Sequence, residues 1–176
     1  TPVSERLRGR TTATWGDFDG YIDNISDTKA GGKLNGYDRW GIRSIWVAEP
    51  TDDIELTFIG DYRKSDDNCY AKGDESRKVR QNLVMSSEEE AWGLSAQADI
   101  GIGDYTLTSI TAYRTWDSTE IREGDWLDAG PAYVGINQLH DYGPQTQDTF
   151  SQELRIASPG GEFIDYVAGL YYAKTS

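Results

Sequence analysis

The sequence predicts an all-β fold, an antiparallel up-and-down meander of about seven strands. Three observations predict it: apolar and polar residues alternate over several stretches, connections of two sizes follow one another, and helical spacing is almost absent. The clearest alternation covers residues 92–100, where apolar residues at even positions oppose glycine, serine, glutamine and aspartate at odd positions. A strand with this pattern has one apolar face and one wet face.

The other predicted strands follow the same rule with lower fidelity. Residues 54–63 alternate well, with Ile59 as the single apolar residue on the polar side. The first strand is more polar, and Gly16 and Gly20 interrupt it. The remaining predicted strands cover residues 7–22, 40–48, 105–116, 150–156 and 164–172.

The connections alternate between short and long. The short ones are rich in Pro, Gly and Asp and cover residues 1–5, 48–53, 100–104 and 158–162. The long ones are polar and cover residues 26–37, 65–89 and 118–147. A meander places successive connections at opposite ends of its sheet, so all tight turns are expected at one end and all long connections at the other. This asymmetry is typical of bacterial outer-membrane barrels.

Charge and composition exclude several classes of protein. Thirty acidic and 17 basic residues give a net charge of -13, which argues against a nucleic-acid partner. The longest apolar run, residues 166–173, is far shorter than the roughly 18 residues of a membrane helix. A single Cys and a single His exclude an internal disulfide framework, a four-Cys zinc site and a two-His metal motif. We expect no cofactor and assign no metal site.

The start of the chain has no initiator Met and no signal segment. We therefore expect that any export signal lies outside these 176 residues and that residues 1–176 form part of a larger domain.

A soluble antiparallel sandwich or barrel would show the same alternation and turns. Two features favour the membrane barrel. Each well-patterned strand has about ten residues, enough to cross a bilayer at a tilt. Aromatic residues also gather near strand ends, as in interfacial girdles, whereas a soluble sandwich would hold them nearer the strand centres. These residues are Trp40, Trp46, Tyr62, Trp92, Tyr105, Tyr113, Trp116, Tyr171 and Tyr172.

Seven stretches of sequence, taken in order, resemble the TonB-dependent outer-membrane receptors, in particular those of the sphingomonad type. Singly each is weak, but the ordered set covers most of the chain. They read DFDGYIDN (17–24), NGYDRWGIR (35–43), EPTDD (49–53), DYRKSDDNC (61–69), YTLTSITAYR (105–114), FSQELRIAS (150–158) and DYVAGLYY (165–172).

The resemblance implies a 22-stranded barrel in the outer membrane of a Gram-negative cell, plugged by an N-terminal domain, with this chain as roughly the first third of the barrel. It implies uptake of a scarce nutrient with energy from TonB, which would act through a plug segment absent from this chain. Siderophores, cobalamin, glycans and aromatic compounds remain open as ligands. Lipid and lipopolysaccharide are the other expected partners.

Ligand contact is expected in the long connection that starts near Trp116. Its aromatic residues can stack on a ring-bearing or glycan-like ligand, and its acids can select cations. The alternative is a solvated loop whose aromatic rings contact its own turns. The candidate ligand-binding residues are Trp126, Tyr133, His140 and Tyr142.

Oxygen ligands for calcium are a further possibility at Asp66, Asp67, Asn68 and Asp74. Their spacing matches no EF-hand loop, and an acidic surface loop is usually only solvated.

Charged and polar residues on the wet side of the alternation are candidates to face the barrel lumen. Leu94 represents the opposite, apolar side. No nucleophile motif such as Gly-x-Ser-x-Gly accompanies His140, so we expect binding and gated passage and no catalysis. The rival hypothesis is a soluble all-β binding or adhesive module. The lumen-facing candidates are Glu55, Arg63, Gln97, Asp99, Glu153 and Arg155.

Overall fold

The computed structural model describes residues 2–27, 30–68, 75–125, 139–161 and 163–176. All regular elements of these ranges are strands. No helix among them is long and apolar enough to cross a membrane. The strands are β1 (Pro2–Ser4), β2 (Leu7–Phe18), β3 (Ile22–Asn24), β4 (Gly32–Leu34), β5 (Gly36–Thr51), β6 (Ile54–Asn68), β7 (Lys78–Val79), β8 (Ser86–Ile102), β9 (Tyr105–Glu123), β10 (His140–Ala157) and β11 (Val167–Thr175).

Eight strands form one antiparallel sheet in the order β1-β2-β5-β6-β8-β9-β10-β11. Each strand lies beside the next long strand in the chain, so the predicted all-β antiparallel meander is confirmed. The sheet has one strand more than predicted because the first residues do not form only a turn. Pro2–Ser4 folds back on β2, with Ser4 opposite Leu7.

The three short strands form a second sheet in the order β4-β3-β7. β3 is antiparallel to β4 and parallel to β7, so two long connections of the main sheet meet in it. The strand predicted at 7–22 is divided because Gly20 has a φ of 95° and turns the chain after Phe18. A Cβ at Gly20 would lie 2.2 Å from the Leu34 carbonyl oxygen, which requires glycine there.

The long strands exceed the predicted ten residues. β5 has 16 residues, β6 has 15, β8 has 17, β9 has 19 and β10 has 18. Most of the added residues lie at the strand ends that adjoin the long connections, where Asp67 pairs with Ser87 and His140 pairs with Glu123. These extensions are mostly polar, with exceptions such as Ile121 and Tyr142, so apolar alternation stops before the backbone pairing does.

The two ends of the main sheet differ as predicted. Tight turns at Asp52–Asp53 and Gly103–Asp104 lie at one end, together with the link from β10 to β11. The connections that carry β3, β4 and β7, and the one from β9 to β10, lie at the other end, here called the outer rim. The buried apolar side chains of the described residues are Ile22, Ala30, Leu34, Met85 and Ala91, and four of these five belong to the long connections.

Candidate functional site

One face of the main sheet is apolar and exposed. Residues opposite each other on neighbouring strands share a face, and alternate residues of one strand share a face. This face, the apolar belt, carries Trp46, Phe58, Leu94, Leu154 and Leu170. Leu94 is 61% exposed and Leu170 is 78% exposed, so a large apolar surface has no cover within the described residues.

An aromatic row crosses the apolar belt, with one residue from each of seven neighbouring strands. Ring centroids lie 4.8 Å apart for Trp40 and Tyr62, 5.5 Å for Trp92 and Tyr113, and 6.5 Å for Phe150 and Tyr172. The members are Trp15, Trp40, Tyr62, Trp92, Tyr113, Phe150 and Tyr172.

The row crosses the strands at an angle. Trp15 and Trp40 are direct register partners, as are Tyr62 and Trp92, and Tyr113 and Phe150. From one such pair to the next, and again from β10 to β11, the aromatic residue lies two positions closer to the tight turns than the register partner does. The average step is one residue per strand. With about 3.3 Å per residue and about 4.8 Å between strands, a level row therefore requires a strand tilt of about 35°.

Charged residues follow the aromatic row on the side of the outer rim. Two residues beyond each aromatic residue, on the same face, six of seven positions are acidic or basic. The Tyr113 hydroxyl donates a hydrogen bond of 2.8 Å to Asp148 in this second row. The apolar belt therefore ends at a sharp boundary. The seven positions are Asp17, Asp38, Lys64, Glu90, Thr115, Asp148 and Lys174.

Polar side chains inside the apolar belt bind one another. The Trp46 indole N–H donates to the Ser44 hydroxyl over 2.9 Å, and that hydroxyl is also 2.9 Å from the Thr11 hydroxyl. Farther along the same belt, between β9 and β10, Gln152 accepts a hydrogen bond from Thr111 over 2.5 Å and donates one to Ser109 over 3.2 Å. The hydroxyl–hydroxyl contact and the two Gln152 bonds join polar side chains of neighbouring strands within the apolar belt.

Two of the predicted girdle residues lie on the opposite face. Trp116 pairs with Gln147, and Tyr171 pairs with Glu153, which belongs to the polar side. Neighbouring residues of a strand alternate, so Tyr171 and Tyr172 cannot both face the belt. Trp15 and Phe150, which complete the aromatic row, were absent from the predicted set. Trp15 lies in the weakly patterned first strand, where its alternation with Ala13 could have placed it on the apolar face.

The opposite face of the sheet, the charged face, carries all six of the predicted lumen-facing residues. They form ion pairs and hydrogen bonds with other charged and polar residues of this face, some within one strand and some between strands. Glu55 is opposite Asp99 in the register and 2.8 Å from Arg8, Gln97 donates to Asp99 over 2.6 Å, Glu153 is 3.2 Å from Arg155, and Arg63 is 3.6 Å from Glu89. Whether this face lines a lumen stays a prediction.

Asp61 is the centre of the charged face, and sequence reasoning did not single it out. The Arg114 guanidinium donates to both Asp61 oxygens, with a shortest distance of 2.8 Å, and Arg43 lies 3.7 Å away. Farther toward the outer rim, Arg39 pairs with Asp67 and holds the pKa of that carboxyl below its usual value. In the sequence, both Asp61 and Asp67 occupy odd positions of β6, which is the polar side of its alternation, and this pattern could have identified them.

The outer rim is organised around Asn24, which is 5% exposed. Its carboxamide N–H groups donate to the Ala30 carbonyl over 2.7 Å and to the Gln81 carbonyl over 2.9 Å. Its oxygen accepts from the backbone N–H groups of Gln81 at 3.1 Å and Ser26 at 3.3 Å. One side chain thus links the connection that precedes β5 to the one that precedes β8, with its hydrogen-bonding capacity used in full.

Only two of the four predicted ligand-binding residues lie in the part of the chain that the structure describes. Trp126 and Tyr133 lie outside the described residues. His140 and Tyr142 begin β10, opposite Glu123 and Ile121, and both side chains are exposed. They share a face of the sheet, but their contacts define no binding site within the described residues.

Two of the four predicted calcium ligands are occupied by protein groups. Asp67 pairs with Arg39, and the Asn68 side chain binds the backbone of Gly36 and Lys33. Asp74 lies outside the described residues. Within the ranges that the structure describes, no three His, Cys, Asp or Glu side chains converge as a metal site.

Glu123 is the unusual acid of the outer rim. It ends β9, is 3% exposed, and neither of its carboxylate oxygens has a hydrogen-bond partner. Burial, and after it the Asp125 carboxylate, raises the pKa of Glu123. Sequence analysis could not select it from 30 acidic residues.

Comparison with known proteins gives no relative for this chain. No family model, no curated protein and no solved structure matches it.

Proposed function

We propose that this chain forms part of the β-barrel of a TonB-dependent outer-membrane transporter, which binds a scarce nutrient outside a Gram-negative cell and passes it inward. The observation that carries the proposal is the aromatic row. It bounds an exposed apolar belt, it is followed by charges, and its slope corresponds to a strand tilt of about 35°, near the range of about 35–45° in outer-membrane barrels.

The height of the apolar belt agrees with this proposal. On β6 the belt extends from Ile54 to Tyr62. Eight steps of about 3.3 Å along a strand tilted by about 35° give about 22 Å along the membrane normal. Outer-membrane barrels carry an apolar band about 25 Å tall between two aromatic girdles.

The TonB-dependent class is favoured among barrels by the ordered sequence stretches, such as residues 35–43 and 150–158. In such a protein the charged face would line the lumen and face the plug. The long connections would stand outside the cell, where strands that continue beyond the bilayer raise them above the lipid. The mechanism would be ligand binding at the outer rim followed by gated passage, with no covalent chemistry.

Spin labels on adjacent residues of β8 test the proposal. In a Cys69→Ser background, Leu94→Cys and its matched control Ser95→Cys place a nitroxide on the two opposite faces. The full-length protein is reconstituted in lipid bilayers and probed with oxygen, which concentrates in hydrocarbon, and with a water-soluble nickel complex. We expect the label at position 94 to meet oxygen more often and the label at position 95 to meet nickel more often.

A different result would favour the soluble binding module. If the protein stays in solution without lipid, and both labels meet the nickel complex equally, the apolar belt does not face a membrane.

A further inference from the structure

We propose that the outer rim binds a divalent cation, specifically Ca²⁺, through the side chains of Glu123, Asp125 and Asn82. This site is independent of the transport proposal, because it depends on local chemistry at the end of β9.

The first argument is a local deficit of donors. Among the described residues, three buried side-chain polar atoms lack a hydrogen-bond partner: Asn82 Oδ1, Glu123 Oε1 and Glu123 Oε2. All three are acceptors. Buried polar atoms are nearly always satisfied in folded proteins, and the neighbouring Asn24 uses its full bonding capacity. The missing component is therefore a positively charged group or a donor.

The second argument is that these atoms belong to segments that meet. β9 ends at Glu123, and the Gly124 N–H donates to the Leu139 carbonyl. The Leu139 N–H donates to Asp125 Oδ2 over 3.3 Å, which fixes that carboxyl beside the end of the strand. The backbone N–H groups of Asp125 and Leu83 both lie close enough to the Glu123 carboxylate to oppose the rise of its pKa, although neither reaches full hydrogen-bond geometry, and Asn82 directly precedes Leu83.

The basic groups around the site are engaged elsewhere or exposed. Arg122 binds Glu120 at 3.3 Å and Asp141 at 3.4 Å, and Arg80 lies 3.7 Å from Asp27. His140, the register partner of Glu123, is exposed and forms no ion pair with it among the described contacts. No described cation therefore balances the Glu123 carboxylate.

The ligand chemistry selects calcium. A proton on Glu123 would satisfy only one or two of the three orphan oxygens, whereas a single cation accepts several oxygen ligands at once. Carboxylate and amide oxygens suit Ca²⁺, which accepts six to eight oxygen ligands in flexible geometry and completes its shell with water and backbone carbonyls. Mg²⁺ requires near-ideal octahedral geometry and releases its water reluctantly.

Calcium titration of the purified full-length protein tests the site. After removal of bound metal with a chelator, isothermal titration calorimetry at pH 7.5 should detect one saturable site. A Kd of about 0.1–1 mM is expected, the range of extracellular calcium modules. Glu123→Gln should weaken binding about tenfold or more, because it removes the buried charged ligand. Glu120→Gln is the matched control and should bind as the wild type does, because that carboxylate already pairs with Arg122.

The proposal is overturned if the wild type shows no saturable calcium binding up to about ten times the expected Kd. It is also overturned if Glu123→Gln binds as tightly as Glu120→Gln. Asp125→Asn and Asn82→Ala provide the same comparison if Glu123→Gln does not fold. Calcium binding by a protein that remains outside the membrane would support this site and count against the proposed transport function.

Discussion

Leu94 is the residue that best separates a lipid-facing surface from a water-facing one. It is exposed on the apolar belt, opposite Gly60 on β6 and Tyr113 on β9. We predict that Leu94→Arg lowers the free energy of unfolding by about 2–4 kcal/mol in a bilayer, because a charge must leave water for hydrocarbon. Urea unfolding in lipid vesicles measures this change.

Ser95→Arg is the matched control for Leu94→Arg, since it places the same charge one residue away on the charged face. It should change the free energy of unfolding by less than about 1 kcal/mol. Equal effects of the two substitutions would contradict the assignment of faces.

Glu123 should make stability depend on pH when calcium is absent. The pKa of this carboxyl is raised in the folded state, so between its ordinary value of 4.5 and the raised value the folded protein binds more protons than the unfolded chain. Stability contributed by the protonated form is present at low pH and is lost as the pH rises through the folded pKa. Thermal unfolding in chelator should therefore show wild type losing stability relative to Glu123→Gln as the pH rises.

Calcium at pH 7.5 should restore that stability in the wild type and not in Glu123→Gln. A constant difference between the two proteins from pH 4 to pH 8 would show that Glu123 has no perturbed titration.

At the scale of elements, the small sheet depends on Asn24. This residue is buried and makes four hydrogen bonds to backbone groups of two connections. We predict that Asn24→Ala opens the sheet of β3, β4 and β7 and leaves the main sheet intact, at a cost of about 2–4 kcal/mol in local stability. Hydrogen exchange should accelerate at the amides of Asp23 and Ile25, which donate to Arg77 and Val79 carbonyls.

Asp27→Ala is the control for the rim, because the Asp27 side chain is almost fully exposed and forms, among the described contacts, a weak ion pair with Arg80. It should leave those two amides protected. Faster exchange across β9 and β10 in Asn24→Ala would mean that the rim and the main sheet unfold together.

The existence and order of the seven long strands could be predicted from the sequence, but their lengths and the short strands β1, β3, β4 and β7 could not. The apolar half of β8 alternates from Trp92 to Ile100, and this region was predicted. The other half begins Ser-Ser-Glu-Glu-Glu, which as a single sequence reads as a solvated loop. It forms a strand because β6 and β9 pair with it on both sides, and backbone hydrogen bonds require no particular side chain.

At the scale of the whole molecule, an extended sheet carries two exposed faces of opposite character. Large apolar side chains cover one face and ion pairs cover the other, while burial is concentrated at the outer rim. A water-soluble domain ordinarily buries one sheet face against a second layer. Within the described residues no second layer covers the apolar belt, which agrees with the lipid contact that we propose.

Local sequence determined which residues share a face, where the tight turns lie and which end carries the long connections, because alternation and turn chemistry act over a few residues. The tertiary structure decided the aromatic row, the Asp61–Arg114 pair and the buried end of β9. These depend on register between strands, as for Asp61 and Arg114, which lie 53 residues apart in the chain. Register is a property of paired backbones, and no single strand contains it.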